Sequence, residues 1–135
     1  MNQEKIVEYQ LLEQQMQQLN VNLQNINQNI EELTSILKTL DEFKKLKKDD
    51  KILVPIANGI FAEATLKDAN KLKVNVGSKI VVNKTPDSTK KMIESQIAEM
   101  NTYKEETVDM YEGLYLRMQA LQTELIAEQQ KEEKK

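Results

Sequence analysis

Ile52-Leu53-Val54-Pro55-Ile56-Ala57-Asn58-Gly59-Ile60-Phe61-Ala62-Glu63-Ala64-Thr65-Leu66 decides the fold. Asn58-Gly59 between two apolar runs predicts a β-hairpin, because a type I′ turn needs φ > 0 at both central positions. A second hairpin follows. Leu72, Val74 and Val76 alternate with Lys73 and Asn75, Gly77-Ser78 suits a type II′ turn, and Lys79-Ile80-Val81-Val82-Asn83 returns. Pro55 cannot donate to a ladder, so the first strand is expected at an edge or bulge. Four short strands hold too little core to stand alone. Their apolar edges therefore need other chains, and the block 52–83 reads as an assembly module through Ile52, Val54, Ile60, Val74, Val76, Ile80 and Val82.

Outward from this block, both flanks carry heptads. Before it, Tyr9, Leu12, Met16, Leu19, Leu23, Ile26, Ile30, Leu33, Leu37 and Leu40 recur at alternating spacings of three and four. With Tyr9 at position a, the apolar residues fall on a and d throughout. A helix over 4–43 would be about 60 Å long, longer than globular domains use. After the block, Thr85 is a good N-cap, Pro86 fits the first helical position and Asp87 favours the positive end of the dipole. The second heptad runs through Ile93, Ile97, Met100, Lys104, Thr107, Tyr111, Leu114, Met118, Leu121 and Leu125. Lys104 and Thr107 interrupt it, and a change of register onto Val108 would repair the gap. Gly113 lies on the outer face and costs about 1 kcal/mol relative to Ala. A helix over 86–130 is expected, then a charged tail over 131–135 that frays. Two matched helices joined by hairpins pack antiparallel, making a two-helix rod with a β-cap at one end and both termini at the other.

Fourteen of the residues from 2 to 29 are Asn or Gln, so the e and g positions there offer little but Glu8 and Glu13 for ion pairing. Lys44-Lys45-Leu46-Lys47-Lys48 follows the first helix and complements its dipole. Asp49-Asp50 directly afterwards and a net charge of −3 argue against nucleic acid or an anionic membrane as partner. The 135 residues contain no Cys and no His, which removes disulfides, thiolate nucleophiles, imidazole bases and the usual zinc sites. Three glycines cannot build a phosphate loop, and the carboxylates lie scattered on helix surfaces, so neither an enzyme nor a cofactor is expected. No run approaches a membrane span, and Met1-Asn2-Gln3-Glu4-Lys5 shows no basic stretch followed by an apolar core, giving the expectation of a soluble, cytoplasmic chain.

Leu53-Val54-Pro55-Ile56-Ala57-Asn58-Gly59, then Leu66-Lys67-Asp68 and Val74-Asn75-Val76-Gly77, resemble the centre of the alpha-class prefoldin subunits. The order helix, two hairpins, helix resembles that class along essentially the whole chain. The resemblance implies an α+β fold, mostly α: a long antiparallel two-helix coiled coil whose hairpins join those of other subunits in a β-barrel platform. It implies an ATP-independent chaperone subunit that captures unfolded polypeptide and passes it to a group II chaperonin. The implied assembly is a hexamer of two alpha-class and four beta-class subunits. The alternative is self-assembly into a homo-oligomer or filament with a scaffold or holding role. The amide-rich first helix is a departure from the family and leaves client chemistry open.

Apolar residues outside the seam point to the client site. Ile6, Val7 and Leu11 on the first helix, and Leu116 and Ile126 on the second, would lie at the surface near the free ends. With Leu12, Leu121 and Leu125 they suggest an apolar grip made of Ile6, Val7, Leu11, Leu12, Leu121, Leu125 and Ile126.

Overall fold

A computed structural model describes residues 3–133. Helix α1 runs Gln3–Phe43. Four strands follow, β1 Lys51–Ala57, β2 Ile60–Thr65, β3 Leu72–Asn75 and β4 Val81–Lys84. Helix α2 then runs unbroken through Pro86–Glu133. The helix continues three residues past Gln130, where a frayed tail was expected; Lys134 and Lys135 of that tail lie outside the described residues. The chain divides into two compact units, one holding the chain up to Ile30 and from Glu99 onward, the other Glu31–Ala98.

In the first unit the helices run antiparallel. Lys5 Nζ lies 2.6 Å from Glu128 Oε1 and 3.3 Å from Glu124 Oε2. Arg117 grips Glu8 through Nε at 3.0 Å and Nη2 at 3.3 Å. Rising numbers on α1 thus meet falling numbers on α2. Leu12, Met16, Ile26 and Leu121 are buried between them, Leu121 completely at 0% exposure. All of the a and d residues named above are buried or half-buried, including the two that interrupt the apolar pattern.

The expected shift of register onto Val108 does not occur. Thr107 keeps its d position at 4% exposure, and Val108 is only half-buried. The physical reason is local. Thr107 Oγ1 donates to the Tyr103 carbonyl at 2.8 Å, so its hydroxyl is satisfied within its own helix and the methyl can face the seam.

In the second unit Lys90 Nζ lies 3.3 Å from Asp41 Oδ1, and Lys44 pairs with Asp87, again antiparallel. Leu40, Ile93 and Thr89 are buried there. Helix α2 begins with a reciprocal cap. The Ser88 amide donates to Thr85 Oγ1, and the Thr85 amide donates to Ser88 Oγ, both at 3.1 Å. Ser88 fills the place that Glu usually takes in a capping box.

The strands form two separate antiparallel ribbons, β1–β2 and β3–β4. In the first, Ile52 faces Ala64 and Val54 faces Ala62, and the register slips between Pro55 and Ala57. In the second, Leu72 faces Lys84 and Val74 faces Val82.

The turns differ from expectation. At Asn58-Gly59 only Gly59 has positive φ, 75°, so this is not a type I′ turn. Non-primed turns splay the strands, and the slip at Pro55 to Ala57 absorbs that mismatch. The second turn centres on Ser78-Lys79, one residue later than Gly77-Ser78. Both central residues have positive φ, 50° and 64°, and the Ile80 amide donates to the Gly77 carbonyl at 2.9 Å. That is the type I′ pattern, built without glycine at either central position. The Gly77 amide is held by Asn75 Oδ1 at 2.9 Å, which orients the approach to the turn. Val76 and Ile80 thereby leave the regular strands, although the Val76 amide still donates to the Ile80 carbonyl.

Candidate functional site

Two apolar surfaces stand out. The first lies where both helices end in the unit that holds the termini. Ile6, Tyr9, Leu125 and Ile126 line one groove of about 240 Å³, with Gln122 and Gln129 at its rim. Of the residues expected to form the grip, the structure brings Ile6, Leu125 and Ile126 into one groove. It sets Val7 and Leu11 elsewhere: four residues apart, they form an exposed ridge on the outward face of α1, Val7 at 61% exposure. Leu116, at 65%, is a separate exposed residue of α2.

Leu12 and Leu121 must be removed from the grip. Both are buried in the seam, at 8% and 0% exposure, and side chains so covered cannot hold a client unless the helices part. They occupy d positions, and the seam takes them first. The ion pairs Lys5–Glu128 and Glu8–Arg117 lock the same region. The hydrogen bond to Glu128 holds the Lys5 ammonium above its usual range and the Glu128 carboxyl below its own. The hydrogen bond to Glu8 likewise raises Arg117.

The second surface is on the hairpins. Of the residues singled out for assembly, Ile52, Val74 and Val82 are half-buried, whereas Val54, Ile60, Val76 and Ile80 are exposed. The sequence reading missed the other side of the ribbons. Leu53, Ile56, Phe61 and Val81 are also exposed, so β1–β2 is apolar on both faces. A signal for this was present. Ile52 to Ile56 is a continuous apolar run, the mark of a strand to be covered on both sides, and not an alternating one.

A third feature was not foreseen. Leu19, Met110, Gly113 and Leu114 open a groove of about 470 Å³, banked by Gln15 and Gln18. Among the described residues no group of three or more His, Cys, Asp or Glu side chains is placed to hold a metal ion, and no helix is long and apolar enough to cross a membrane.

Comparison with known proteins agrees with this architecture. The family model described as "Prefoldin subunit" matches residues 12–131. A prefoldin subunit alpha of Archaeoglobus fulgidus is 28% identical over 130 residues, covering 96% of this chain and 95% of that one. One from Thermococcus onnurineus is 36% identical over 93 residues, which span 68% of this chain and 63% of the relative. Among solved structures, the filamentous PFD of Methanocaldococcus jannaschii, seen by cryo-electron microscopy, superposes with a TM-score of 0.76. It is 23% identical and is covered over 99% of its length by 91% of this chain, a likeness of fold.

Proposed function

Since this chain belongs to the prefoldin family, we propose that it is an alpha-class chaperone subunit that holds non-native polypeptide at the terminal end of its helix pair. The observation that carries this reading is the apolar surface left there after the seam is filled. Ile6, Leu125 and Ile126 meet in a groove, and Val7 and Leu11 stand exposed on the outward face of the same stretch of α1. Such a surface binds apolar segments without a defined sequence. Each contact is weak, and several subunits acting together raise the avidity through effective concentration. No nucleotide is required, because release follows when another binder, a group II chaperonin, competes for the client.

The hairpins supply the assembly. Two ribbons with unpaired edges and apolar faces are covered when several subunits share them, in a hexamer of two alpha-class and four beta-class subunits. Homo-oligomers or filaments of this chain alone are the second reading, supported by the exposure of both faces of β1–β2. Sedimentation of the purified chain, with and without a beta-class subunit, separates the two.

The test of the holding function is suppression of aggregation of a denatured protein without ATP. The parent should suppress it. Replacing Ile6, Val7, Leu11 and Ile126 by Ser should abolish suppression while sedimentation stays unchanged. Equal protection by that variant would contradict the assignment of the site.

A further inference from the structure

The groove at Gly113 lies well inside the helix pair and belongs neither to the terminal surface nor to the hairpins. Its floor is Leu19, Leu114 and Met110, the last at 60% exposure. Gly113 opens it. A Cβ placed on Gly113 meets nothing within 4 Å, and its φ is not positive, so neither packing nor turn geometry requires glycine there. A mid-helix glycine costs about 1 kcal/mol relative to Ala, and here the gain is an apolar floor left open to solvent.

The two banks differ in charge. On α1, residues 14–30 carry no charge at all, and the groove is edged there by the amides Gln15 and Gln18. On α2, Glu99, Glu105, Glu106, Asp109 and Glu112 are opposed within the same stretch only by Lys104. Helical spacing sets two of these beside the groove, Glu106 four residues before Met110 and Asp109 four before Gly113, while the cation on that side, Arg117 four after Gly113, is taken up by Glu8. Both are exposed, and neither takes part in the ion pairs described above. An apolar floor with one neutral and one acidic bank fits an extended chain whose leucine-like side chains alternate with cations.

We propose that this groove is a second client site, selective for apolar segments of unfolded polypeptide that carry Lys or Arg. It rests on the chaperone reading and adds a preference that the terminal surface, which is apolar, does not supply. Charge pairing at such an exposed bank contributes selectivity more than affinity.

The experiment is fluorescence anisotropy with the assembled protein and two short labelled peptides, one of Leu, Gly and Lys, the other with Glu in place of every Lys. The cationic peptide should bind more tightly. Glu106→Gln with Asp109→Asn should weaken it by about three- to tenfold at low salt and leave the anionic peptide no weaker. Gly113→Gln, which the open space admits without strain, should weaken the cationic peptide at low and high salt alike. Gly113→Ala should keep binding and melt slightly higher, separating groove filling from helix stabilisation. Equal affinity for the two peptides overturns the proposal. So does a loss on charge removal without a loss in Gly113→Gln, which would mark general attraction to an acidic surface. A change in sedimentation confined to the groove variants would also overturn it, assigning the groove to contact between copies of the chain. If the parent discriminates between the peptides but fails to suppress aggregation, the holding function fails and the groove stands; the reverse pattern removes the groove alone.

Discussion

Ser78 and Lys79 hold positive φ in a turn that their residue types disfavour, since an L side chain in this region costs roughly 1–2 kcal/mol. Lys79→Gly relieves that cost against a smaller entropic loss in the unfolded chain. It should stabilise the protein by up to about 1 kcal/mol, read as a higher urea midpoint at unchanged slope. Gly77→Ala, at φ 117°, should do the opposite. An unchanged midpoint in both would mean that this turn is not formed when the protein unfolds. Thr107 teaches a related lesson. Sequence patterning treats threonine in a seam as an interruption, but the bond from Oγ1 to the Tyr103 carbonyl makes it an acceptable core residue.

Helices and hairpins were legible because their signals are periodic: ten heptad positions on α1 and ten on α2 are all kept from full exposure. Turn geometry was not legible, because it depends on backbone dihedrals that Asn-Gly and Gly-Ser only suggest. The terminal surface was half legible. Ile6 and Ile126 were found by their excess over the seam, whereas Leu12, Leu121 and Leu125 were assigned twice, to the seam and to the grip; only Leu125, half-buried at the seam's end, also lines the groove. The Gly113 groove escaped because a glycine codes for a space and not for a side chain. Between elements, ion pairs fasten the helices. The hydrogen bond to Lys44 lowers the Asp87 carboxyl, as Lys5 lowers Glu128. A carboxyl depressed in the folded state contributes stability above its unfolded value, and that contribution is lost as pH falls through the folded one. The melting temperature should therefore drop as pH is lowered below the ordinary carboxylate range near 4, less so at high salt. Lys5→Met with Lys44→Met should flatten the drop. An identical pH profile in that variant would show that these pairs are too solvated to matter.

At the scale of the whole molecule, the proposed function assigns two surfaces to different ends, the hairpins to assembly and the terminal groove to clients. Val74→Asp with Val76→Asp should dissociate the oligomer, seen by sedimentation, while leaving helical circular dichroism largely intact. Retention of the parental mass would move assembly away from β3–β4. Loss of avidity in the dissociated variant should weaken client holding even though the terminal residues are untouched. The central claim is that clients are held at the terminal end of the helix pair and not on the equally apolar hairpins. Site-specific photocrosslinking tests it most directly, with the photoreactive residue placed in turn at Leu11, Ile126 and Phe61, all exposed. A denatured client should crosslink from Leu11 and Ile126, whereas Phe61 should crosslink only to other subunits. Client capture from Phe61, with none from Leu11 or Ile126, would contradict the account.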